Sequence, residues 1–192
     1  MPEKAKIRNM GLKSGHFGRV TQNDALGYAC ETEVFELPEL ISSAGEFSLT
    51  DILIESDDAI YYKGRRLESG TLTLTVAELE KALYAELSGS EYDETENASD
   101  IATFEKSPEL WFGAASEQLE AGFDIVQLFC CRCTGINNLT RQTKGPSNAT
   151  GQNVEITLDF TKRKTDNKPG RQYGSQPTIA LSATPPAPVP AP

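Results

Sequence analysis

Hydrophobic and polar positions alternate most cleanly over residues 70–76, Gly-Thr-Leu-Thr-Leu-Thr-Val, with Leu72, Leu74 and Val76 on one side and Thr71, Thr73 and Thr75 on the other. A period of two marks a strand with one buried face. Threonine is β-branched and suits a pleated surface that meets water or another subunit. Residues 154–160 repeat the pattern, with Val154, Ile156, Leu158 and Phe160 inward and Glu155, Thr157 and Asp159 outward. Over residues 123–134, Ile125, Phe129, Cys131 and Cys133 share one predicted face, and Val126, Leu128 and Cys130 the other. Apolar residues on both faces predict a central, buried strand. Weaker strand patterns cover 11–20, where glycines predict kinks, 34–37, which Pro38 stops, 41–54 and 109–115. In 41–54, Phe47 and Leu49 alternate with Ser48 and Thr50, and Ile52 and Ile54 resume the period after a slip.

The period changes after Val76. Leu79, Leu83 and Leu87 recur every four residues, with Val76 and Ala82 beside them and Glu78, Glu80, Lys81 and Glu86 between. This predicts an amphipathic helix over 77–87, closed by Gly89. Six or seven strands and one helix, without βαβ alternation, argue against a parallel doubly wound sheet. The expected fold is mainly β: an antiparallel β-sandwich or open barrel with one flanking α-helix. The expected organisation is an arm over 1–10, a β domain over 11–171 and a proline-rich extended tail over 172–192, with five prolines in the last ten residues.

Charge then sharpens the picture. Residues 88–100 hold Glu91, Asp93, Glu94, Glu96 and Asp100 with little to bury, and predict an exposed acidic loop. An EF-hand reading of it fails, because the spacing from Asp93 lacks the central glycine and puts Phe104 at the twelfth place. Residues 161–171 form a basic run with Lys162, Arg163, Lys164, Lys168 and Arg171. The whole 192-residue chain holds 28 acidic against 18 basic residues, a formal charge of -10, which disfavours a protein that grips nucleic acid by counterion release. No apolar run reaches the ~20 residues of a transmembrane helix. The first residues lack the apolar stretch of a secretory signal, so folding in the cytoplasm is expected and the sequons at Asn97, Asn138 and Asn148 are chance matches.

Catalytic motifs are missing. The sequence has no Gly-x-Ser-x-Gly and no phosphate-cradling loop ending in Lys-Ser or Lys-Thr. Cys30, Cys130, Cys131 and Cys133 lack paired zinc spacing and are expected to be small core residues. His16, the one histidine, is the sole base a catalytic cysteine could use. No catalytic, cofactor-binding or metal-binding residues are assigned, and no enzyme activity is expected.

Several pieces in this order carry a resemblance. They are Gly11-Leu-Lys13 opening a first strand, Asp57-Asp58 and Tyr61-Tyr62, and the 70–76 strand running into the helix that ends at Gly89. The acidic segment, the two long central strands, Thr143-Lys144, and the 154–160 strand followed by Lys and Arg complete the order. Over residues 11–171 this resembles the major tail proteins of tailed bacteriophages, the tail tube proteins of the phi13-like kind. The Cys130–Cys133 cluster and the proline tail depart from that pattern. The resemblance implies a β-sandwich or barrel with a flanking helix, assembled as rings, typically hexameric, that stack into a hollow tube. It implies a virion location after synthesis in the host cytoplasm. The chain's partners would be its own copies, with tape measure and tail terminator proteins, and genomic DNA would pass the lumen without sequence-specific binding.

Residue chemistry fits that expectation. Threonine-rich strands can offer edges or faces to neighbours. An acidic lumen repels phosphate and lets a duplex slide. Stacked rings need a heterologous contact that propagates. The expected ring–ring contact pairs Glu91, Asp93, Glu94 and Glu96 with Lys162, Arg163, Lys164 or Lys168. A rival placement puts the acidic segment on the lumen wall. Competing readings are a tube subunit of a contractile injection system, another virion structural protein, a monomeric β-sandwich binding module, and an enzyme with a pocket built on His16 and a carboxylate.

Overall fold

The alternating segments form antiparallel strands. A computed structural model describes residues 9–37, 40–56, 59–118, 122–137 and 153–179. The predicted arm up to residue 8, Pro38, Asp57-Asp58, the segment 138–152 with Thr143-Lys144, and the prolines of 183–192 lie outside the described residues. The strands are β1 (Asn9–Asn23), β2 (Tyr28–Cys30), β3 (Phe35–Leu37), β4 (Leu40–Ser56) and β5 (Ala59–Val76). Helix α1 (Lys81–Ser88) follows, then β6 (Tyr92–Asp93), β7 (Ala98–Ser99), β8 (Glu109–Gln118), β9 (Phe123–Asn137), β10 (Val154–Thr161) and β11 (Gly170–Gln176). The main sheet runs β2-β1-β8-β9-β10-β5-β4, with β3 also on β1 and β11 also on β9, while β6 and β7 form a separate hairpin. Every ladder is antiparallel. The sheet curls until β1 and β4 approach: a Cβ on Gly15 would stand 3.0 Å from Leu40 Cδ2. Those two strands share no ladder among the described residues, so the sheet is not closed into a barrel.

The core fills the concave side. Val76, Leu74 and Leu72 of β5 stand opposite Val154, Ile156 and Leu158 of β10. Phe17, Leu37, Leu110, Phe112, Tyr84 and Leu87 complete the cluster. Burying each such side chain contributes about 1.5–3 kcal/mol. At the rim, Phe160, Gly70 and Phe47 stand in one row across three strands. A Cβ on Gly70 would lie 2.1 Å from Phe160 Cζ, so only glycine leaves room for that ring. Phe47 covers the notch edge-on, with ring centroids 5.6 Å apart.

Four expectations need correction. First, β9 does not keep one parity. Its register slips against β8 between Leu110 and Phe112, and against β10 between Thr157 and Leu158. A bulge inverts which residues face inward. Leu128, Cys131, Cys133 and Ile136 therefore pack in the main core. Ile125 instead joins Ala115, Phe123, Tyr173 and Ile179 in a second cluster, and Phe129 packs against Tyr28. The strand is central, as expected, bonded to β8 on one side and to β10 and β11 on the other.

Second, the helix begins at Lys81 rather than at residue 77. Val76 is held in the ladders with Leu40 and Val154, so the next residues leave the strand extended, and Glu80 still has φ -65 and ψ 148. Gly89 ends the helix at φ 71, where its N–H donates to the Ala85 carbonyl. Third, the acidic segment is a β-hairpin, not a loop. Fourth, the β domain continues past Arg171 through β11, whose pairing with β9 supplies the order that its polar sequence does not advertise.

Candidate assembly surfaces

The basic run is built into the fold through one residue. Arg163 is 2% exposed. Its guanidinium lies 4.1 Å from the Phe129 ring centroid and 4.9 Å from that of Tyr28. Its Nη2 donates to Asp166 Oδ2 at 2.5 Å and its Nε to Oδ1 at 3.1 Å. Burial works against the charge on Asp166, but Arg163 and the Lys168 amide hold its carboxyl below the usual carboxylate value. Asn167, at φ 55, lets the chain turn back over this pair. Of the predicted contact residues, Arg163 therefore faces inward, whereas Lys164 and Lys168 are exposed and Lys162 is half-buried.

Lys162 and Lys164 rim a cleft of about 330 Å³ with Arg132, Asp159 and Glu109. Asn23 organises its floor. Its Nδ2 donates to Glu109 Oε1 and, at 3.3 Å, to Cys130 Sγ, and its Oδ1 accepts from the Lys164 amide at 3.0 Å. In register, Arg132 stands opposite both Glu109 and Asp159, so the cleft's charges largely answer one another.

The cysteines are buried thiols. All four are free. Burial pushes Cys130 and Cys133 up to about 12, and raises Cys131 and Cys30 as well. A thiol kept protonated at neutral pH is a poor nucleophile and a poor metal ligand. Among the described residues, no group of three or more His, Cys, Asp or Glu is arranged to hold a metal ion. His16 stands opposite Glu36 and Gly113 in register, and burial lowers its pKa.

The acidic hairpin presents its charges outward. Glu91, Asp93, Glu94, Glu96 and Asp100 are all exposed. Asp93 Oδ1 accepts from the Thr95 and Glu96 amides at 2.7 and 3.2 Å, and Tyr92 donates to Asn97 Oδ1 at 2.9 Å. These bonds set the turn, and no ion pair among the described residues engages its glutamates. Among the described residues, no ion pair joins this hairpin to Lys162, Lys164 or Lys168.

The feature that pattern reading missed is the length of the β4–β5 pair. The two strands pair from Leu40↔Val76 to Ser56↔Ala59, but β10 covers β5 only from Gly70 to Val76. Residues 48–56 and 59–69 thus pair, among the described residues, with each other alone. The ribbon is about nine residues long, or roughly 30 Å. At its base, Phe47 is 63% exposed and Leu49 is 50% exposed. Ile52-Leu-Ile54 and Ile60-Tyr-Tyr62 lie further out. Consecutive strand positions belong to opposite faces, so both faces of the ribbon carry apolar positions. Those runs on either side of Asp57-Asp58 were the available hairpin signal. No protein-family model matches this chain, and no curated protein matches its sequence.

Proposed function

We propose that this chain is the subunit of a bacteriophage tail tube, a non-enzymatic virion protein whose copies form rings that stack into a conduit for DNA. The observation that carries this reading is the β4–β5 ribbon. A two-stranded ribbon is marginal in water without a third strand or a packed face. A long edge strand with exposed apolar side chains is a template for another chain. Natural monomers blunt such edges, as the three-residue β2 and β3 do at the other end of this sheet. A self-associating subunit accounts for an edge left long. The described thiols and the single histidine support a structural role over a catalytic one. The net charge of -10 suits a lumen that repels phosphate. In this reading tape measure and tail terminator proteins meet the tube at its ends.

The test is assembly as a function of concentration. Sizing and negative-stain microscopy of the purified chain should show rings or tubes that lengthen as concentration rises. A single sharp monomer peak at millimolar concentration would remove the proposal and favour a monomeric binding module.

A further inference from the structure

The side-chain amide of Asn23 is held at both ends. Its Nδ2 donates to the Glu109 carboxylate, and its Oδ1 accepts from the Lys164 backbone N–H at 3.0 Å. Asn23 ends β1, Glu109 opens β8, and Lys164 lies in the turn after β10. Lys162, half-buried just beyond the end of β10, lines the same cleft as Asn23 and Glu109. Each group stands where amide chemistry needs it. The N–H on Oδ1 meets the negative charge that develops when a nucleophile adds to Cγ. The carboxylate on Nδ2 can deliver the proton that this nitrogen needs in order to leave. A lysine amine in the cleft supplies the nucleophile.

We infer that Asn23 and Lys162 join in an intramolecular isopeptide bond, formed by the folded chain itself with Glu109 as the proton carrier. Glu109 takes one proton from the Lys162 ammonium. The free amine attacks Cγ of Asn23, and the Lys164 backbone N–H holds the charge on Oδ1. Glu109 then passes its proton to Nδ2, the Cγ–Nδ2 bond breaks, and the departing ammonia takes a second proton from the attacking nitrogen. The Lys162 ammonium and the Asn23 amide thus become one secondary amide and an ammonium ion, and Glu109 ends as the carboxylate it began as. No electrons change hands, and the ion escapes through the open cleft. In sheet order β8 and β9 lie between β1 and β10, so the bond staples the end of β1 across two strands. It lies within one copy and forms whether or not copies assemble.

Intact mass tests it. The purified native chain, denatured for the measurement, should be lighter than its sequence mass by one ammonia, about 17 Da. Tryptic digestion should yield a branched peptide that joins the segment holding Asn23 to the segment holding Lys162. Glu109→Gln and Lys162→Arg should each show the full mass. Lys164→Arg keeps the backbone N–H and should show the native loss. A native chain at full mass overturns the inference. Loss of ammonia without the branched peptide overturns it too, since Asn23 closing on its own backbone gives the same mass. A branch at Lys164, or a Glu109→Gln chain that is still linked, contradicts the assigned roles and overturns it as well. If a variant fails to fold, the native mass and the branched peptide decide the matter alone.

Discussion

The turn after β10 and the β4–β5 ribbon both place several cations close together in sequence, yet the backbone around them is committed to different degrees. In the turn, Arg163 lies between two aromatic rings and is closed by Asp166, so its charge is consumed inside the molecule. In the ribbon, Lys63, Arg65 and Arg66 sit on strands that pair with nothing else among the described residues. A run of basic residues therefore does not identify a contact surface.

The largest effect expected from this contrast is at Arg163. Arg163→Ala leaves Asp166 buried without its partner and should lower stability by about 3–5 kcal/mol in denaturant melts. Replacing both Arg163 and Asp166 with Met and Leu should recover most of that loss, since a buried pair exchanged for apolar volume is often neutral. If Arg163→Ala melts like the native protein, the turn is no more committed than the ribbon.

A smaller effect is expected in β9. Cys131→Ser buries a hydroxyl without a partner and should cost about 1–3 kcal/mol. Tubes, if formed, should keep their shape, because the residue touches no surface. Unchanged melting would mean that the bulged parity assigned to β9 is wrong.

Acid should distinguish the two regions as well. The carboxyl of Asp166 has its pKa lowered in the folded state, despite burial, by Arg163 and Lys168. Its stabilising contribution is present above the unfolded value of about 3.9 and is lost as pH falls through the lower folded value. Native protein should therefore lose stability below about pH 4 more steeply than the Met/Leu double variant. Parallel curves would contradict the assignment. The smallest effect is expected from Lys164→Glu, within about 0.5 kcal/mol of native stability, as for an exposed side chain. Deleting residues 183–192 should likewise leave assembly intact, since proline lacks the donor that pairing needs. Loss of tubes on deletion would make that segment a structural arm.

Much of the fold could be read from alternation alone. The 70–76 and 154–160 strands appear in the predicted register of faces because each has one wet and one dry side. The helix was legible by its four-residue period and Gly89, but its first turn was not, since strand pairing at Val76 overrides local propensity. The face assignment of 123–134 failed because a bulge changes parity without any residue that announces it. β11 was invisible because Arg171, Gln172 and Gly174 show no alternation, and its order comes from a distant strand. The acidic half of the candidate surface was legible as unburied charge. In its cationic half, sequence shows that Arg163 is charged but not that Asp166, Phe129 and Tyr28 enclose it.

The most direct measurement removes the ribbon. Leu49 and Leu67 stand opposite each other in register, so an Asn-Gly turn can join them in place of residues 50–66. The shortened chain should fold with native-like melting, since the main core lies elsewhere, and remain monomeric by analytical ultracentrifugation at concentrations where the full chain forms rings or tubes. A shortened chain that assembles as readily as the full one, or a full chain that stays monomeric beside it, would contradict the assignment of the ribbon as the element that joins one copy to the next.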